Sequence, residues 1–164
     1  MAYEAVDGPR AERLDTGVSD QDPAAGLDAF HGRLFRITQD GLSDETAQTT
    51  GMRRRAAISG KSVGSTKLWM GQTHVRPATA SANHHHGEAE TAIYVVAGHP
   101  VFVFLDGDDA RRLETGPGDY VFVPPWVPHR EENPSPDTEA VVVIARSTQE
   151  AIVVNLEDLF GPAT

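Results

Sequence analysis

The chain has 164 residues, with 14 Lys and Arg against 24 Asp and Glu, for a formal net charge of −10. That length suits one domain with a real core, and the acidic balance argues against nucleic acid and anionic membrane as partners. There is no cysteine, which excludes disulfides and thiolate metal sites and leaves any metal to histidine and carboxylate.

Residues 1–28 are polar and acidic, broken by Gly8, Gly17, Pro23 and Gly26. They are expected to form an irregular N-terminal arm, ahead of a barrel domain over 29–164. Met1-Ala2-Tyr3-Glu4 carries no basic or apolar leader pattern, and no apolar run approaches the roughly 20 residues of a membrane span. A cytoplasmic protein with no membrane partner is therefore expected.

Beyond the arm, apolar residues come in short runs rich in β-branched and aromatic side chains. The runs are Leu34–Ile37, Lys67–Met70 extended by His74–Arg76, Ala92–Val96, Val101–Leu105, Tyr120–Val123, Ala140–Ile144 and Ala151–Val154. Turns punctuate them at Asp106-Gly107-Asp108-Asp109 and at Thr115-Gly116-Pro117-Gly118-Asp119. Regular short strands with such turns predict an all-β sandwich or barrel. Ile93–Val96 and Val101–Leu105 read as a hairpin across Ala97–Pro100. Leu156–Phe160 reads as one closing helical turn capped by Asn155. The run Arg53-Arg54-Arg55 reads as a solvated turn or edge protection.

The chemistry concentrates in two stretches. The first is His84-His85-His86-Gly87-Glu88-Ala89-Glu90. In a strand, residues two apart share a face, so His84 and His86 point together and His85 points away. Two imidazoles on one face make half of a divalent-metal site, and a carboxylate a few residues on with a third imidazole from another strand would complete it. By alternation Glu88 and Glu90 stay in phase with the histidines and Thr91 does not, unless a bulge at Gly87 reverses the phase. The second stretch runs from Gly118 through Pro124 and Trp126 to His129 and Asn133.

The second stretch resembles the second motif of the cupin superfamily, metal-binding β-barrels of jelly-roll type. That motif is Gly, five residues, Pro-x-Gly-x-x-His, three residues, Asn, and only Trp126 departs from it, standing where the middle Gly would be. The first stretch resembles the first motif at His84, His86 and Gly98. Glu90 follows His86 at the motif's spacing, while counting six residues back from Gly98 lands on Thr91; Ala78 stands where a Gly precedes the first His. The resemblance covers about Lys67 to Ile144. It implies a jelly-roll barrel whose metal is held by His84, His86, His129 and Glu90, with a three-histidine site lacking a carboxylate as the alternative.

The expected cofactor is a divalent ion: Fe or Mn, with Zn, Ni or Cu as further options. The expected partner is a small organic substrate, in a homodimer joined through exposed strand edges and the arm. The leading expectation is a non-haem Fe(II)-type dioxygenase. A redox-neutral lyase, isomerase or decarboxylase, or a non-catalytic binding barrel, are the alternatives. Tyr94 is the candidate catalytic residue if it aims inward. Arg76, in phase with His74, is a candidate for holding a substrate anion, and Trp126 for walling the mouth.

Overall fold

The computed structural model describes residues 34–148 and 150–159. The expected arm at 1–28 lies outside them. A short 3-10 helix, Gln39–Gly41, precedes β1 (Met52–Ile58). A four-residue helix, Gly60–Val63, follows, closed at its start by a reciprocal Ser59–Ser62 capping box. The remaining strands are β2 (Trp69–Val75), β3 (Thr79–Ala80), β4 (His84–His85), β5 (Thr91–Ala97), β6 (Val101–Asp106), β7 (Asp109–Glu114), β8 (Tyr120–Val123), β9 (His129–Asn133), β10 (Ala140–Arg146) and β11 (Val154–Asn155).

Two antiparallel sheets face each other. One has the order β1-β2-β10-β5-β8. The other has the order β11-β4-β9-β6-β7, with β3 also paired to β9. The chain passes repeatedly from one sheet to the other, as a jelly-roll barrel requires. Alternation sets the inner faces. Trp69, Gly71, Thr73 and Val75 on β2, and Val142, Ile144 and Arg146 on β10, point inward. The main core joins Ala56, Trp69, Ile93, Val95, Phe102, Val121, Val123, Val142 and Ile144. Gly71 has no room for a side chain, because a Cβ there would strike the Arg55 carbonyl oxygen and the Trp69 ring. Among the described residues, no helix is long and apolar enough to cross a membrane.

Several local expectations change. Ile93–Val96 and Val101–Leu105 do not pair as a hairpin: β5 pairs with β10 and β8, and β6 with β7 and β9. The link between them crosses sheets, with Gly98 at φ +76 tucked so closely against Ala140 that a Cβ would lie 2.8 Å from its Cα. The hairpin is instead β6–β7, turning through Gly107 at φ +65 between Asp106 and Asp109. Leu34–Ile37 forms no strand, and Leu34 is fully exposed. Alternation over four residues is too short to decide pairing without packing behind it. Of Ala151–Val154 only Val154 lies in a strand, the two-residue β11. Asn155 pairs with His84 in that sheet rather than capping a helix, Glu157 to Leu159 form bends and a turn, and Phe160 lies outside the described residues. The arginine run is an edge strand, in which Arg53 is exposed against Asp44 but Arg54 is buried.

Candidate metal centre

Strand β4 lies beside β9, with His84 directly opposite His129. Cross-strand partners share a face, so the two rings meet inside the barrel with centroids 4.5 Å apart. His86 follows just past β4, its ring 5.2 Å from that of His84 and 4.7 Å from that of His129. All three are buried, and one ring nitrogen from each lies within 4.8 Å of the others.

The opposite edge of each ring is anchored. His84 Nδ1 lies 2.9 Å from the Ala82 carbonyl and His129 Nδ1 lies 3.0 Å from the Val127 carbonyl. A carbonyl can only accept, so each Nδ1 carries the proton and each Nε2 carries the lone pair. His86 Nδ1 meets the Thr91 hydroxyl at 2.8 Å. Donation from His86 to that hydroxyl gives its Nε2 the same character. The three Nε2 atoms are buried and, among the described residues, have no hydrogen-bond partner. Burial pushes His84 down to about 3 and His129 down to about 4, and lowers His86 as well, helped by the nearby Arg146. Three neutral imidazoles with converging lone pairs, each held from behind, fit a divalent metal ion.

Glu90 does not join them. It is exposed at the start of β5, and the three-histidine group contains no carboxylate. The cause is Gly87, which takes φ +59 and breaks the alternation that sequence phase assumed. The reversal turns Thr91 inward in its place. Glu88 is also exposed. His85 points away from the other two, accepting a bond from the Gly87 amide at 3.0 Å. Tyr94 lies on the outer face of β5, its ring 4.9 Å from that of Tyr120, because Thr91, Ile93 and Val95 take the inward positions. Arg76 is exposed past the end of β2, where Val75 pairs with Ala140; the Arg146 end of the sheet is the other one. Trp126 is 63% exposed and sits beside His85, with ring centroids 5.5 Å apart. Its amide bonds the Gly87 carbonyl at 2.8 Å, so the second motif's loop is docked on the first motif's break. Asn133 is buried and bonds the Val75 and Thr138 carbonyls, tying β9 to β2 and to the approach to β10.

Three charged residues in the interior escaped sequence reading. Arg54, Glu131 and Arg146 are each almost completely buried. Arg54 Nη1 bonds the Ala47 carbonyl at 2.6 Å, and Arg146 Nη1 bonds the Ile152 carbonyl at 2.9 Å. The Arg146 guanidinium also lies 5.6 Å from the Trp69 ring centroid. Among the described residues, Nε and Nη2 of both arginines have no partner, and neither does either carboxylate oxygen of Glu131. Burial lowers Arg54, lowers Arg146 to about 9 and raises Glu131, while each arginine pulls Glu131 the other way. The signal was the period of two. Arg54 stands between inward Met52 and Ala56, Glu131 between His129 and Asn133, and Arg146 after Val142 and Ile144.

A cavity of about 290 Å³ reaches His129, lined otherwise by apolar residues including Phe102, Phe104, Leu113, Phe122 and Val127. It lies where β8 and β7 end their sheets. A larger cavity, about 420 Å³, includes Ala47 and Trp69, the neighbours of Arg54 and Arg146, and none of the three histidines.

Residues 71–145 match the family model described as Cupin domain. Comparison with curated protein sequences gave no match. Among solved structures, the chain is similar to the polyketide cyclase RemF from Streptomyces resistomycificus, at 22% identity and TM-score 0.61, over 75% of this chain and 85% of that one. It is similar to oxalate decarboxylase from Bacillus subtilis, at 22% identity and TM-score 0.59, over 68% of this chain but only 29% of that one. It is also similar to an oxalate oxidase in complex with the substrate analogue glycolate, at 18% identity and TM-score 0.61, over 80% of this chain and 66% of that one. At these identities the likeness is one of fold.

Proposed function

Because this chain carries a cupin domain at residues 71–145 and belongs to that superfamily, we propose that it is a metal-dependent enzyme acting on a small organic molecule inside the barrel. One observation carries the reading. Three buried imidazoles turn unpartnered Nε2 atoms toward one another while their Nδ1 atoms are tied to Ala82, Thr91 and Val127. A divalent ion on His84, His86 and His129 would supply Lewis acidity or redox chemistry, with positions left for substrate or oxygen.

The protein's own residues do the rest. The backbone carbonyls and Thr91 hold the imidazoles in one orientation. The apolar cavity at His129 admits a compact organic body and limits water. The first reading is oxygen-dependent, of the non-haem Fe(II) dioxygenase kind. A specific observation supports a second, redox-neutral reading as lyase, isomerase or decarboxylase. Glu131 is a buried carboxyl on the same face of β9 as His129, with both oxygens unpartnered, and so is placed to move a proton.

The test has two stages. Metal analysis after loading with Fe(II) or Mn(II) should show one ion per chain; no bound metal overturns the proposal. Oxygen uptake by the Fe(II) form in the presence of candidate substrates then separates the two readings. Substrate turnover without oxygen consumption selects the redox-neutral one. Metal bound with no turnover of any candidate favours a non-catalytic binding barrel. The homodimer belongs to the same proposal. Tyr94, Val96, Tyr120 and Phe122 form an exposed apolar row on the outer face of β5 and β8, where β8 ends its sheet among the described residues. Sedimentation at micromolar concentration tests it, and a monomer refutes it.

A further inference from the structure

We propose that Arg54 and Arg146 form an anion subsite inside the barrel, and that the substrate is a carboxylic acid with a compact apolar body. This rests on the enzyme reading above for the word substrate, but the subsite itself stands on the arginines alone.

The argument starts from the guanidinium edges. Each arginine spends Nη1 on a loop carbonyl, Ala47 for Arg54 and Ile152 for Arg146. That contact fixes the side chain from one end. The Nε and Nη2 donors remain unpartnered in both, although each residue is buried. Those two donors lie on the same edge of the planar group, the fork that matches the two oxygens of a carboxylate. Burying a charge without partners costs several kcal/mol by general estimate, so two such forks inside one barrel are not accounted for by packing.

Glu131 does not satisfy them. It is near enough to both arginines to interact electrostatically, yet neither of its oxygens has a hydrogen-bond partner. The barrel interior therefore holds two guanidinium groups against one carboxyl, beside three imidazoles, and favours one further negative charge. A divalent ion on the histidines would increase that preference. The same two arginines act electrostatically on His84, His86 and His129. Neither arginine lines the apolar cavity at His129, so an acid held by the forks would have to extend an apolar body toward it.

The scaffold behind Arg54 is built for this purpose. The Gln48 side chain clamps the Arg54 backbone on both sides, accepting from its amide at 2.8 Å and donating to its carbonyl at 2.8 Å. Arg146 is flanked within its own sheet, its strand partners being Trp69 on β2 and Thr91 on β5. Through Thr91, its neighbour is the residue that bonds His86. Anion and metal subsites thus share a wall.

The experiment is calorimetric titration of the full chain, with and without bound metal, using benzoate, its uncharged analogue benzamide, and inorganic phosphate. Benzoate should bind in both metal states, and benzamide should bind at least about tenfold more weakly. Arg54→Gln and Arg146→Gln should each weaken benzoate by about tenfold or more without changing metal stoichiometry. Equal binding of benzoate and benzamide, or unchanged benzoate affinity in both folded variants, overturns the subsite. Phosphate binding tighter than benzoate overturns the carboxylate assignment. Should the variants fail to fold, a crystal structure of the unaltered protein with 4-bromobenzoate decides. The carboxylate should lie about 3 Å from the Nε and Nη2 atoms of Arg54 or Arg146; a carboxylate placed elsewhere overturns the proposal. Benzoate bound by a protein that takes up no metal would refute the enzyme reading and leave the subsite standing.

Discussion

The Thr91 hydroxyl stands 2.8 Å from Nδ1 of His86, on the inward face of β5, one residue after the exposed Glu90. A hydroxyl cannot supply the charge of a carboxylate ligand, but it can orient an imidazole. Thr91→Val keeps the shape and removes that bond. It should lower metal affinity by about 10–100-fold, measured by competition with a chelator. Thr91→Ser should restore most of it. Glu90→Ala should leave affinity unchanged, and a loss there equal to that of Thr91→Val would put the carboxylate back in the site.

His84 and His129 face each other across β4 and β9, whereas His85 faces out toward Trp126. Alanine at His84 or at His129 should abolish stoichiometric metal binding. Alanine at His85 should leave stoichiometry intact. Elemental analysis of dialysed protein reads all three. A His84→Ala/His129→Ala protein as loaded as its parent would end the metal-site reading.

The depressed imidazole pKa values give the metal-free protein a pH dependence of definite sign. An unfolded histidine takes up its proton near 6.5, while His84 and His129 in the fold wait until about 3 and about 4, and His86 is lowered too. Below 6.5 the unfolded state binds more protons, so stability falls as pH falls. Glu131 works oppositely, since its raised pKa keeps a proton in the fold that the unfolded chain loses above 4.5. Three imidazoles outweigh one carboxyl, so the urea midpoint of the metal-free protein should be lower at pH 5 than at pH 7. The three imidazole Nε2 atoms, unlike Glu131, carry no proton to displace at pH 6. Histidine deprotonation should therefore add no dependence on the ionisation enthalpy of the buffer to the heat of metal binding there.

Trp126 takes φ +66, in the left-handed region that favours glycine. Trp126→Gly should relieve strain of about 1–2 kcal/mol while losing little burial, because the ring is largely exposed. The variant should melt no lower than the parent. A large drop in melting temperature would show that the ring's contact with His85 outweighs the backbone strain.

The sheet and the three histidines were legible because both obey a period of two that the strands keep. The shared face of His84 and His86 follows from spacing, and His129 from the resemblance of the second stretch to the cupin motif. The fourth ligand was misread where one residue, Gly87, interrupts the period, and no count along the chain shows which way φ will turn. Arg54 was misread for a different reason. It stands between two exposed or half-exposed arginines, and composition makes such a run look like surface. Glu131 and Arg146 kept the inward phase of their strands, but charge argues against burial unless a partner is known. The false hairpin arose because a short glycine-containing link serves equally well to turn back or to cross between sheets.

The chain has two tryptophans, and they sit in opposite surroundings. Trp69 is buried against the Arg146 guanidinium, and Trp126 is open to water beside His85. Their emission should differ in colour and in access to a soluble quencher. In Trp126→Gly only the inner indole remains, so that one substitution converts intrinsic fluorescence into a direct optical reading of what approaches Arg146.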